Sequence, residues 1–216
     1  MNGYYVAPGG GEIIYVTYRL GYHKMYIEHE RGAPAERFYD RLTEGYVRNE
    51  NAVHHIEMEH LRHPYDEVQT SDLEEVVNKG MDAIIAEGIR DFIVDDSGLF
   101  IDALKGFPGV WSAYAQKTIG NPGILKLMDG VEDRGAEFRC CIGCDIAGKR
   151  IVVTGKCRGV ITDSEKGSEG FGFDPVFSHD GKRTFAEIPM DEKNDVSHRG
   201  NAVRLLIEAL RNEGLI

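Results

Sequence analysis

The sequence predicts an α/β fold built on a central mixed, twisted β-sheet. Three observations lead there. Strand-like and helix-like segments alternate in the first part of the chain, hairpin signatures dominate the later part, and no repeat or linker-like stretch divides the 216 residues. With 42% hydrophobic residues, a chain of this length can bury one compact core or two lobes that share one.

Residues 1–11 read as a flexible lead-in, so that 12–216 form a single domain. EIIYVT (12–17) is the first strand, apolar and β-branched. The segment 18–50 has no clear period, although GAPAERFYDRLTEGYV reads as helix from Pro34 onward. AVHHIEMEHL (52–61) alternates loosely and suggests a second strand. In TSDLEEVVNKGMDAIIAEG, Leu73, Val76, Val77, Met81, Ile84 and Ile85 recur at helical spacing. Ser71 with Glu74 fits a capping box, and Gly88 is placed to stop the helix.

DFIVDD (91–96) is a further strand. GLFIDALKGFPGVWSAY reads as a glycine-rich crossing segment, and NPGILKLMDG as a short helix. AEFRCCIGCDIAGKRIVVTGKCRGVI forms a long hairpin that turns near Ala147-Gly148-Lys149. A shorter hairpin around Asp180-Gly181 leads into TFAEI. The last helix starts at Ser197 and is expected to bury Ala202, Val203, Leu205, Leu206, Ala209 and Leu210.

Composition narrows the function. A net charge of −11 repels duplex DNA and anionic membranes, while a local cluster of Lys and Arg could still hold a small anion. No stretch approaches the ~18–20 apolar residues of a membrane span, and the first residues lack a basic-then-apolar signal pattern. Four cysteines, Cys140, Cys141, Cys144 and Cys157, then read as reduced thiols in a cytoplasmic protein. The C-x-x-C at 141–144 could be a redox or zinc element. The alternation of Phe138, Cys140, Ile142, Cys144 and Ile146 favours strand core instead. The His and Glu residues between His54 and His63 match no tight zinc spacing.

Four constellations carry candidate chemistry. Asp95 and Asp96 arrive side by side where a strand is expected to end. This is either a strand-to-loop turn or a divalent-metal site, in which a hard cation such as Mg²⁺ offsets the repulsion between carboxylates. Glu67 is a second acidic candidate, and Lys79 lies on the outer side of the following helix. GSEGFGFDP (167–175) sets Phe171 and Phe173 around Gly172, either as buried plugs or as a stacking face for a planar ligand. In EKNDVSHRG (192–200), Ser197 caps a helix whose first turn carries His198 and Arg199, with Lys193 upstream. Cations are unfavourable at that end of a helix, which points to another role for them.

VDDSGLFIDALKGFPGVWSA, GFGFDPVF, TFAEI and EKNDVSHRGNA, in this order, resemble the inosine triphosphate pyrophosphatase (Ham1-like) family over residues 64–210. The resemblance implies an elongated, two-lobed protein with a nucleotide cleft, usually a homodimer. It also implies Mg²⁺-dependent hydrolysis of ITP, dITP and XTP to the monophosphate and pyrophosphate. By the same resemblance Asp96 is the catalytic acid of the DDS motif, with Asp95 and Ser97 beside it. Glu67, Asp95 and Asp96 are the Mg²⁺ ligands and Lys79 contacts phosphate. Phe171, Phe173 and Asp174 form the base-pocket loop, with Phe173 stacked on the purine, and Lys193, Ser197, His198 and Arg199 surround the base. Thr17 matches the threonine of the family's T-G-N-x-x-K phosphate loop. Tyr18 and Arg19 replace its glycine and asparagine, lysine comes late at Lys24, and the stretch up to Glu67 is longer than the family pattern. That departure leaves two alternatives open: a nucleotide-binding relative with weak or lost catalysis, or a pyrophosphatase for another modified NTP.

Overall fold

The computed structural model describes residues 2–6, 13–17, 57–61 and 70–215, the first three segments by their backbone pairing. Among the described residues, eight strands form one sheet. They are β1 (Asn2–Val6), β2 (Ile13–Thr17), β3 (Glu57–Leu61), β4 (Phe92–Ile101), β5 (Pro108–Gly109), β6 (Gly135–Ile146), β7 (Lys149–Ile161) and β8 (Phe177–Ser178). The order is β3-β2-β1-β4-β6-β7-β8, with β5 also paired to β4. β1 runs parallel to β4 and every other pairing is antiparallel, so the sheet is mixed as expected. Asn2–Val6 is thus a strand inside the stretch expected to be a lead-in. The helix read from Pro34 lies outside the described residues.

Five α-helices join the sheet among the described residues: α1 (Leu73–Ala86), α2 (Ser112–Thr118), α3 (Gly120–Leu127), α4 (Met190–Val196) and α5 (His198–Asn212). α1 buries Leu73, Val76, Val77, Met81 and Ile84, the stripe its spacing predicts. Its cap is Asp72 rather than Ser71. Asp72 stands directly before the first helical residue and its Oδ1 accepts from Glu74 N at 2.9 Å. Gly88, at φ +81°, follows the last turn. Part of the expected crossing segment is helical as α2.

The hairpin of β6 and β7 turns at Ala147 and Gly148, both at positive φ, the mark of a two-residue type I′ turn. The expected hairpin at Asp180-Gly181 does not form. Asp180 Oδ1 accepts from Ser178 Oγ, Lys182 N and Arg183 N, which closes a tight turn, and TFAEI does not continue as a strand.

α5 covers one face of the sheet, with Ala202, Val203, Leu206 and Leu210 on Ile93, Cys140, Ile142 and Cys144. Leu205, expected in this core, is exposed, and Ala209 is only partly buried. α1 covers the other face, against Phe92, Val94, Phe100 and Cys141. Cys141 and Cys144 therefore lie on opposite faces, which removes the redox-pair reading of C-x-x-C. All four thiols are free and buried, and burial pushes Cys141 up to about 11 and Cys144 up to about 12.

Candidate active site

β4 is longer than the sequence suggests. It continues through Asp95 and Asp96 to Ile101, paired with β6 over its whole length. Its other edge pairs with β1 at Ile93–Val94 and with β5 at Leu99–Phe100. Between those contacts, residues 95–98 have no strand partner on that edge among the described residues. Gly98 lets β5 come close: a Cβ there would sit 2.2 Å from Gly109 O.

A strand sends successive side chains to opposite faces, and the unbroken register with β6 applies this to both aspartates. Asp95 lies on the α5 face with Ile93, and Asp96 on the α1 face with Val94 and Phe100. The crowding inferred from sequence is thus relieved by the pleat, and the two carboxylates do not converge as a ligand pair.

Asp95 Oδ2 lies 3.8 Å from Arg199 Nε and accepts from Cys140 Sγ at 3.7 Å. Burial pushes its carboxyl pKa up, and Arg199 partly opposes that. Ser97 Oγ is buried beside Asp95 and Cys140 and makes no hydrogen bond of normal geometry. Asp96 is 8% exposed, and its Oδ1 accepts from Ser97 N at 2.7 Å on the strand edge that β1 and β5 leave open.

The glycine-rich loop is held by a buried ion pair. Asp174 Oδ2 accepts from Lys193 Nζ at 2.5 Å and from Phe171 N at 2.7 Å. Phe171 is 48% exposed, with Lys193 Nζ 5.0 Å and Arg199 Cζ 5.2 Å from its ring centroid. Phe173 is 3% exposed, packed in the core with Phe138, Phe177 and Phe185. Its face is therefore covered, which does not fit the expectation that Phe173 stacks on a base, whereas Phe171 leaves a ring face exposed. Sequence reasoning missed Asn121 on α3, whose Nδ2 donates to Gly172 O at 3.2 Å and to Glu165 Oε2 at 3.3 Å. Its signal was slight, a polar side chain on a short apolar helix.

Ser197 caps α5 as expected, its Oγ accepting from Gly200 N at 3.1 Å. Gly155 on β7 allows the first turn to rest on the sheet, since a Cβ would stand 2.1 Å from Ala202 N and 2.3 Å from His198 O. His198 stacks on Phe138 at 4.6 Å and is 4% exposed. Burial drives its pKa well below 6.5, and Arg199 and Lys193 push the same way, so the imidazole is neutral. Its Nδ1 is buried without a hydrogen-bond partner.

Asp95, Ser97, Phe171, Asp174, Lys193, Ser197, His198 and Arg199 thus gather on the α5 side of β4, and Asp96 on the α1 side of its open edge. Lys79 is exposed on α1 and makes no ion pair among the described residues. Thr17 ends β2, paired with Asn2 and Glu57. Glu67, Arg19 and Lys24 lie outside the described residues.

No trio of His, Cys, Asp or Glu among the described residues is grouped to hold a metal. Asp96 offers carboxylate oxygen, the donor type that suits a hard cation. The α5 side presents a half-exposed aromatic ring, two cations and unpartnered buried polar atoms, a setting for a flat ligand rich in acceptors.

Residues 40–209 match the sequence profile of the Ham1 family. A dITP/XTP pyrophosphatase of Pyrococcus horikoshii is 46% identical over 157 residues, 72% of this chain and 84% of the relative. One of Methanopyrus kandleri is 46% identical over 160 residues, 73% and 85% of the two chains. The structure of the Staphylococcus aureus Ham1 protein superposes with a TM-score of 0.65 at 33% identity, covering 70% of this chain and 82% of that one. Sequence, fold and the order of the site elements converge on one assignment: this chain belongs to the Ham1 family.

Proposed function

We propose that the protein is a nucleoside triphosphate pyrophosphatase that hydrolyses ITP, dITP and XTP to the monophosphate and pyrophosphate. The observation that carries this reading is the half-exposed Phe171 ring with Lys193 and Arg199 about it, set across β4 from Asp96 at the strand's open edge. The similarity to proteins named dITP/XTP pyrophosphatase supports the same substrate class.

The purine stacks on Phe171, an interaction that contributes about 1–3 kcal/mol per base in single-strand binders. Its 6-keto oxygen accepts from Arg199 and from the His198 imidazole, which burial keeps neutral. Adenine would set an amino donor against those donors and leave polar groups unpaired, at a cost of about 1–3 kcal/mol each. Lys79 and Thr17 neutralise and orient the phosphates, with Arg19 or Lys24 in place of the family's loop lysine.

Asp96 orients a water for in-line attack on the α-phosphorus and accepts its proton at the carboxylate. Asp96 and Glu67 would hold Mg²⁺, which when bound would supply neutralisation of the charge that grows on the leaving pyrophosphate. Because Asp96 Oδ1 is anchored by Ser97 N, the carboxylate needs little reorganisation before reaction.

The protein acts in the cytoplasm, away from nucleic acid and membranes, consistent with its charge of −11. No helix among the described residues is long and apolar enough to cross a membrane. It works as a homodimer, for which the exposed aromatic side chains of Phe107, Trp111 and Tyr114 supply an apolar surface.

Chromatography of an ITP reaction with Mg²⁺ tests the reaction type. IMP and pyrophosphate in equal amounts are expected; IDP and phosphate would refute cleavage at the α-phosphorus.

A further inference from the structure

We infer that Asp95 is a positioning residue for base recognition, holding Arg199 in place beside Phe171, and that it is not a metal ligand. The inference rests on the nucleotide-pyrophosphatase reading above and divides the adjacent aspartates between its two halves.

The register of β4 with β6 is unbroken from Phe92 to Ile101, so Asp95 and Asp96 project from opposite faces. The Asp95 side chain is 13% exposed, and its neighbours are those of the base side: Arg199 at 3.8 Å, Cys140 Sγ at 3.7 Å and Ser97. Among the described residues, Arg199 is the one cation placed against both Asp95 and Phe171. Its Nε faces Asp95, and its Cζ lies 5.2 Å from the Phe171 centroid.

A guanidinium is planar and has five donors in a fixed fork. With Nε turned toward a carboxylate, the plane is set and the terminal NH₂ groups are left for an acceptor on the ligand. A lone arginine on the first turn of α5 would otherwise sample many rotamers at the helix end that repels cations. Asp95 offsets that repulsion and fixes the donor edge, which makes it a determinant of which purine edge is accepted.

The test compares Asp95→Asn with Asp96→Asn by two readouts: steady-state kinetics on ITP and ATP, and binding of Mn²⁺ alone followed by electron paramagnetic resonance. Asp95→Asn should raise the KM for ITP about tenfold, change kcat less than about threefold and shrink the preference for ITP over ATP about tenfold. Its Mn²⁺ affinity should stay within about twofold of wild type, while Asp96→Asn loses Mn²⁺ affinity and turnover. Loss of Mn²⁺ affinity in Asp95→Asn to the extent seen in Asp96→Asn, or an unchanged KM and preference, overturns the inference. Arg199→Lys provides a second line that leaves Asp95 intact. It should reproduce the KM and preference changes, and the double variant should be no worse than the poorer single one. Independent, additive losses would contradict the coupling. A wild-type protein inactive on ITP, dITP and XTP removes the functional reading itself. An active wild type with an insensitive Asp95→Asn removes only this inference.

Discussion

The Lys193 ammonium and the Asp174 carboxylate meet at 2.5 Å with both side chains less than a tenth exposed. The pair joins α4 to the aromatic loop, and the same Asp174 oxygen accepts from Phe171 N. Breaking one side of a buried pair leaves the other charge without compensation. Lys193→Met should therefore destabilise the fold by about 3–5 kcal/mol. Urea denaturation of the variant measures this, and a loss below about 1 kcal/mol would mean the pair is well solvated.

The two loop phenylalanines should separate by phenotype. Phe171→Ala removes an exposed ring, so the expected result is a KM for ITP raised about tenfold with an unchanged melting temperature. Phe173→Ala opens a cavity in the core and should cost about 3–5 kcal/mol of stability. Thermal melts alongside kinetics distinguish them; the reverse pattern would place Phe173 in the site.

His198 gives a pH dependence of defined sign. Burial holds its folded pKa well below 6.5, with Arg199 and Lys193 adding to the effect. The unfolded chain takes up a proton near pH 6.5 that the folded chain does not. The stability from the neutral imidazole is therefore full above about pH 6.5 and falls as pH drops below it, by at most about 1.4 kcal/mol per pH unit. His198→Gln should flatten that part of the stability curve between pH 6.5 and 5. An identical slope in both proteins would show that His198 is accessible to protons in the folded state.

Asn121→Ala should loosen the base loop without unfolding it, since it removes the amide that donates to Gly172 O. Faster hydrogen exchange across residues 167–174 and a KM for ITP raised about threefold are expected. Exchange equal to wild type would mean the Asp174–Lys193 pair alone fixes the loop.

Much of this was legible from the residues. The stripe of α1, the 147–148 turn and the Ser197 cap are local signals, and the structure carries them out as local rules require. What sequence obscured depended on partners distant in the chain. Asp95, Asp96, Ser97 and Gly98 are poor strand formers, so the sequence predicts that the strand ends at Asp96; pairing with residues 139–142 of β6 overrides that propensity. Once the strand continues to Ile101, alternation puts the two aspartates on opposite faces, which a reading that ends the strand at Asp96 does not bring out. Phe171 and Phe173 differ only in orientation, and a loop with no regular period encodes none. Asn2–Val6 did hold a signal, Tyr-Tyr-Val, beside glycines that made the segment look unstructured.

Pyrophosphate release at saturating Mg²⁺, compared for ITP, dITP, XTP, GTP and ATP on the purified protein, bears most directly on the central claim. Turnover of ITP, dITP and XTP with kcat/KM at least about a hundredfold above that for ATP is the predicted result. Equal kcat/KM for ITP and ATP, or no turnover of any deaminated purine nucleotide, would contradict it.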